Sequence, residues 1–438
     1  MQPVEIDILV KGGTIVTMDV ERRVIDGGAV AVKDAEIVWV GKLEEVGQQF
    51  KPAQTLDASG KVVIPGLVNT HGHWAMTLFR GLADDAPLEA WLNKIWKVEA
   101  EQVNAETVIA GNDLAIMEMI RGGTTCAADM YWYFPEAYEA VIRTGFRMVN
   151  GPSFADIPGF EERAKQAYDD AKAQLDRFQG EPLIQQCVQA HSTYTTNLKM
   201  LAEIREIAAD RDLLFITHAA ESKGEMAQVQ EKYGKSPIAV LDQVGLLTEK
   251  TLLAHCVHLT DDEIARLAET GTSVAHCPSS NLKLSSGIAR VAEMLKAGVN
   301  VAIGTDGPAS NNDLDMFHEA QLAALVQKGV TGDPTVLPAE KVFAMMTIDG
   351  AHALGMGDKV GSLEVGKLAD LAVVDFDAPH LTPHYDLYSH FIYAAAAADV
   401  SDVMVHGKVL MQDRELLTLD EAEVKAKVRR IAEKVRLI

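Results

Sequence analysis

Apolar and polar positions follow two rhythms along the chain, and the change between them divides it. From Ile6 to Thr17, Ala29 to Val40 and Lys61 to Asn69, short runs rich in β-branched residues come in quick succession, separated by glycine pairs and acidic turns. No helical period intervenes, so this opening reads as a small antiparallel sheet. At Gly66 the rhythm changes. Strand-like runs now alternate with amphipathic stretches such as Asn104 to Arg121 and Asp261 to Glu269, the pattern of βαβ units. The later strand candidates are Gly123–Met130, Phe146–Phe154, Leu183–His191, Leu213–Glu221, Thr251–His258, Ser273–Ser279 and Val299–Asp306. With the run that begins at Val62 they number eight, the count that closes a TIM barrel.

After about residue 360 the sheet rhythm returns, with a strand at Asp370–Asp375 and a hairpin over Asp402–Met411 turning at His406-Gly407. The simplest arrangement joins these strands to the N-terminal ones. The predicted architecture is α/β: a (β/α)8 TIM barrel over residues 66–360, with a small β-sandwich domain made from residues 1–65 and 361–438. Ala394–Ala398 reads as packed helix, and Glu421–Ile438 as a charged amphipathic helix solvated on one face.

Composition changes this picture in few places. A chain of 438 residues, 48% hydrophobic, can bury a large core. No apolar stretch approaches the roughly 20 residues of a membrane helix, and Met1–Asp7 has neither the basic nor the apolar region of a secretory signal. Cys126, Cys187, Cys256 and Cys277 are scattered, without a C-x-x-C pair, which suits buried thiols in a reducing cytoplasm. A formal net charge of −23 argues against nucleic acid, because phosphate binding needs a basic face. The expected partner is a small molecule, with neither nucleic acid nor membrane involved.

The candidate chemistry sits where a barrel would expose it, at the C-terminal ends of the strands. The first strand ends in His71-Gly72-His73, and alternation along a strand points both imidazoles the same way. The fourth ends in His191, the fifth in His218 with Glu221, the sixth in His255 and the eighth in Asp306. Singly, each histidine reads as an ordinary hydrogen-bonded one. Together, among only 13 in the chain, their placement at strand tips points to a shared site. Three imidazoles and a carboxylate (His71, His73, His218 and Asp306) suit one divalent metal, zinc first and ferrous iron second. A bound ion of this kind makes water acidic, and Asp306 can accept the proton released. Glu221, three residues past His218, can carry a proton to substrate and leaving group. His255 can stabilise the oxyanion-like centre. A second metal would need a bridging lysine at the tip of strand three or four. Phe146–Phe154 and Leu183–His191 contain none, so the site reads as mononuclear.

The motifs Pro65-Gly66-Leu67-Val68-Asn69-Thr70-His71-Gly72-His73, Thr217-His218-Ala219-Ala220-Glu221, Ala254-His255-Cys256-Val257-His258 and Gly304-Thr305-Asp306-Gly307 resemble the amidohydrolase superfamily. Within it, Arg80-Gly81-Leu82-Ala83-Asp84-Asp85, Trp91-Leu92, Ser279-Ser280-Asn281-Leu282-Lys283-Leu284 and Ser310-Asn311-Asn312 look most like the 5-methylthioadenosine/S-adenosylhomocysteine deaminases. The likeness runs through nearly the whole chain, to Gly366-Lys367-Leu368-Ala369-Asp370-Leu371. It implies hydrolytic deamination of a 6-aminopurine nucleoside, with related hydrolases of triazines, guanine or pterin-like rings as the alternative. It also implies Glu99 as acceptor for ribose hydroxyls, His191 as donor to a ring nitrogen, and assembly as a homo-oligomer. Two features depart from the family pattern. Trp74 follows the second histidine, where a smaller residue is usual, and could form a stacking wall for a flat ring. Val149-Asn150-Gly151-Pro152-Ser153 carries no arginine, where adenosine-type members tend to have one that can pair with a charged tail.

Overall fold

The computed structural model describes residues 3–47, 49–156 and 161–435. Eight parallel strands form the path of the central sheet: β1 (Leu67–Asn69), β2 (Thr124–Ala128), β3 (Arg147–Asn150), β4 (Ile184–Ser192), β5 (Leu214–Ala219), β6 (Thr251–His255), β7 (Ser273–His276) and β8 (Val301–Ile303), and a ninth, two-residue strand, Ser153–Phe154, pairs with β4 beside that path. The eight pair in chain order. The sheet closes on itself where Thr70 donates its backbone N–H to Ile303 O at 3.0 Å. Residues such as Val68, Cys126, Val149, Leu214, Leu252, Ala275 and Ala302 form the interior cluster. The alternate positions, such as Val188, Phe215, Leu253 and Val274, face the surrounding helices.

Most barrel strands end short of the apolar runs that predict them. Val299–Asp306 narrows to three paired residues, because its last residues leave the ladder to build the mouth. The run over Lys61–Asn69 breaks at Gly66 into two strands belonging to different sheets. Gly66 is required there, since a Cβ would lie 2.0 Å from the Thr125 hydroxyl oxygen.

The chain ends build two sheets that share a core. One has four strands, all from the N-terminal segment, with Val4–Lys11 at its centre paired to Gly28–Lys33 and Phe50–Asp57. The other has seven, and there Lys61–Pro65 pairs antiparallel with Leu371–Asp375, so both ends of the chain share one sheet. Ile8, Val10 and Val30 of the first sheet pack with Val63, Leu371 and Met404 of the second. The expected β-sandwich is present, although two of its pairings are parallel where the sequence suggested antiparallel throughout. A buried ion pair fastens it to the barrel: the Arg147 guanidinium at the start of β3 donates to Asp370 Oδ2 at 2.7 Å and Oδ1 at 3.0 Å.

One helix expectation fails. Ala394–Ala398 is not packed helix; the helix Leu387–Tyr393 ends before it, and only Ala397–Asp399 makes a 3-10 turn. The Arg414 guanidinium collects the carbonyls of Ala397, Ala398 and Val400 at 3.0, 3.0 and 2.6 Å, which holds this stretch out of helical register. The terminal helix forms over Glu421–Val435, with Val424, Ile431 and Val435 buried; residues 436–438 lie outside the described ones.

Candidate active site

The strand tips converge as the sequence suggests. His71 and His73 follow β1, held by backbone bonds from Thr70 to Ile303 and from Asp306 to His71 O, 3.0 Å each. The Nε2 of His218, on β5, lies 3.1 Å from His71 Nε2 and 3.3 Å from His73 Nε2. Asp306 Oδ1 lies 3.5 and 3.3 Å from the same two nitrogens. Four tetrahedral donors about 2.0–2.1 Å from one ion stand about 3.3 Å from each other. The spacings of His218 and of Asp306 to the two histidines after β1 match, and His71, His73 and His218 form one candidate metal cluster while His71, His255 and Asp306 form a second, overlapping one.

Hydrogen bonds behind the rings fix what they present. His218 Nδ1 donates to His191 O at 2.6 Å and His73 Nδ1 to Met130 O at 2.5 Å. A carbonyl only accepts, so Nδ1 carries a proton in both rings. Burial holds the His218 ring neutral, with its Nε2 lone pair inward, whereas His73, against the pull of burial, is raised to about 9 by the Asp306 carboxylate and keeps its Nε2 proton until an ion displaces it. At 3.3 Å the protonated His73 Nε2 donates to His218 Nε2, the place an ion would take on binding. Burial also pushes His71 down to about 4, favouring the neutral, ligating form. The donor set therefore fits a divalent metal.

Asp306 is held from behind by the hydroxyls of Ser280 at 2.6 Å and Ser310 at 3.1 Å. His255 Nδ1 meets Asn281 Oδ1 at 2.9 Å, and its Nε2 lies 3.8 Å from Glu221 Oε2. Burial lifts the Glu221 carboxyl above its ordinary value, against the pull of His255. Its backbone N–H donates to Glu225 at 2.7 Å. Ala220, His255 and Asp306 all have positive φ (52°, 74° and 60°), a costly conformation for residues with a Cβ. Each sits where a strand bends its functional side chain over the barrel mouth.

A cleft of about 730 Å³ opens above this cluster and takes in His73, Glu99, His191, His218, Glu221, His255 and Asp306. Glu99 comes from the helix Leu88–Gln102 and accepts a 2.5 Å bond from the Tyr131 hydroxyl. The His191 ring is held at Nδ1 by Thr195 Oγ1 at 2.9 Å, and burial lowers it to about 3, so it is neutral. The reading of Trp74 as a stacking wall is corrected. Trp74 is 0% exposed, its indole N–H donates to Ala128 O at 3.0 Å, and it packs edge-on against Phe146. The turn Trp74–Phe79, pinned where Asp129 accepts the Trp74 backbone N–H, carries the ring into the core. Aromatic walls are supplied instead by Trp91, Trp96, Tyr131, Trp132 and Tyr194.

Sequence reasoning missed the supporting residues Ser280, Ser310, Asn281 and Glu225. Three of them lie in stretches quoted as family-like, yet a polar residue after a strand carries no mark of which ligand it touches.

The Amidohydrolase family model matches residues 62–410. The chain belongs to the amidohydrolase family. A relative from Syntrophobacter fumaroxidans named 5-methylthioadenosine/S-adenosylhomocysteine deaminase is 44% identical over 432 residues, 98% of each chain. A 5'-deoxyadenosine deaminase of Methanosarcina mazei is 42% identical over 434 residues, 98% of each. The solved structure of an adenosine deaminase from Xanthomonas campestris with bound zinc superposes with a TM-score of 0.97, at 39% identity and 100% coverage of both chains. In this amidohydrolase, as in any protein of the fold, those names say what the relatives do.

Proposed function

We propose that this amidohydrolase is a metal-dependent deaminase of 6-aminopurine nucleosides of the 5-methylthioadenosine, S-adenosylhomocysteine or adenosine type, releasing ammonia. The observation that carries the reading is the convergence of His71, His73, His218 and Asp306 at one barrel mouth beside Glu221 and His255, in a cleft that also holds Glu99 and His191. The relatives at 44% and 42% identity, each named for such a substrate, support it. The barrel over residues 66–360 is the catalytic unit, and 1–65 with 361–438 its sandwich flank.

His71, His73, His218 and Asp306 would hold one divalent ion, zinc in the first instance. Such an ion lowers the pKa of a coordinated water from 15.7 to about 7. The chain's own groups handle the protons. Glu99 accepts from the ribose hydroxyls and His191 donates to a ring nitrogen, which fixes the base in the cleft. Asp306 takes one proton from the attacking water, while Glu221 gives its proton to the ring nitrogen next to the amino-bearing carbon. His255 stabilises the oxygen at that carbon. As the tetrahedral carbon collapses, its hydroxyl proton returns to Glu221, and Asp306 passes its own to the departing amino group. Ammonia leaves, the 6-oxo product forms, and both carboxyls end as they began.

The test is a screen of the zinc-loaded protein against 5-methylthioadenosine, adenosine, guanine, a pterin and a chlorotriazine. Ammonia and an inosine-type ultraviolet spectrum from the nucleosides support the reading. Turnover confined to the other rings would replace it with the alternative hydrolase.

A further inference from the structure

A second cavity, of about 890 Å³, adjoins the first and shares Tyr131, Trp132 and Ser153 with it. The shared wall is the ribose side of the cleft, because Tyr131 is the residue whose hydroxyl donates to Glu99. A nucleoside placed with its amino-bearing carbon at Glu221 and its sugar at Glu99 would therefore send its 5′ substituent towards this second space.

The groups that meet it there are mainly acceptors. Glu136, from the first turn of the helix Phe134–Thr144, lines the cavity half-buried, with no side-chain hydrogen bond or ion pair to another described residue. Gln174 lines the same space, and its buried Oε1 has no hydrogen-bond partner among the described residues. Arg177 supplies the cation of the lining, against the carboxylates of Glu136, Glu139 and Asp170. Its guanidinium donates once, to Glu139 Oε1 at 2.7 Å, and lies over the Phe178 ring at 4.6 Å, so a single cation stands against three carboxylates. Val149–Ser153 contributes no arginine either. Three carboxylates against one guanidinium leave a net negative lining, to which a cationic donor is complementary.

Resting on the deaminase reading above, we propose that this second cavity is the subsite for the 5′ substituent and that Glu136 selects substituents ending in an amine. The subsite tolerates the bare methylthio group and discriminates against a tail whose terminal charge is a carboxylate alone. A zwitterionic homocysteine tail is held by its ammonium end.

The test compares 5′-propylthioadenosines ending in a methyl, an ammonium or a carboxylate group on the metal-loaded enzyme. The ammonium thioether should exceed the carboxylate one in kcat/KM by at least about tenfold, the ratio that a like-charge cost of about 1.4 kcal/mol gives. In Glu136→Gln that ratio should fall towards one; a ratio of two substrates on one variant cancels any general loss of folded enzyme. A carboxylate tail used as well as the ammonium one, or a ratio unchanged in Glu136→Gln, overturns the proposal. Calorimetric Kd values for the same thioethers separate the two layers. Failure to deaminate 5-methylthioadenosine would sink the deaminase reading, while the ammonium-to-carboxylate Kd ratio would still decide the subsite.

Discussion

The Nε2 atoms of His218 and His71 face each other across 3.1 Å. One proton can bridge that pair, and a divalent ion can replace it, with His73 and Asp306 alongside as further donors. Replacing His218 with alanine removes one donor and frees the His191 carbonyl. We expect metal affinity to fall by more than the roughly 100-fold that losing an outer partner alone can cause. Metal analysis after gel filtration should find the variant substoichiometric and still folded.

Glu221 separates chemistry from metal binding, because it approaches the centre through His255 at 3.8 Å and stays outside the donor set. Glu221→Gln keeps the shape and removes the transferable proton. Turnover should drop by about 10²–10⁴-fold with metal content unchanged. An active glutamine variant would take the residue out of the mechanism.

Ser280 acts one step further back, through its 2.6 Å bond to Asp306 Oδ2. Ser280→Ala leaves the Ser310 hydroxyl in place at 3.1 Å but loosens the carboxylate. An affinity loss of about 10–100-fold is expected, read by competition with a chelator, while activity at saturating metal falls much less. Equal affinity in the two proteins would show that Ser280 merely packs.

How far these residues could be read in advance depended on what a sequence pattern encodes. The barrel strands were legible because apolar runs ended repeatedly in His or Asp, and a closed parallel sheet brings all such ends to one mouth. Trp74 was misread because a strand pattern stops at His73, and the direction of the following turn is set by Asp129, 55 positions away. Ala394–Ala398 failed for a similar reason. Alanine favours helix, but Arg414 draws off the carbonyls that a helix would use. Ser280, Asn281 and Glu225 were invisible as positioning groups, since their partners come from other strands or from a backbone bend.

Glu319 gives the site a pH-dependent support. It is fully buried, accepts from Asn311 Nδ2 at 2.8 Å and from Ser279 N at 3.2 Å, and burial pushes its carboxyl up to about 8. The folded state thus holds this proton more tightly than the unfolded chain, where the group titrates near 4.5. Its contribution to stability is complete below about pH 4.5 and is lost as pH rises through 8, at up to about 1.4 kcal/mol per unit. Wild-type Tm should therefore fall between pH 5 and pH 8 by more than that of Glu319→Gln. Parallel profiles would show that the carboxyl is ionised throughout.

The most direct measurement of all is a zinc titration of metal-free protein with 5-methylthioadenosine present. Ammonia release should climb in proportion to added zinc and level off at one ion per chain. No ammonia at any loading, or a plateau reached only at two ions, would contradict a single ion held by His71, His73, His218 and Asp306.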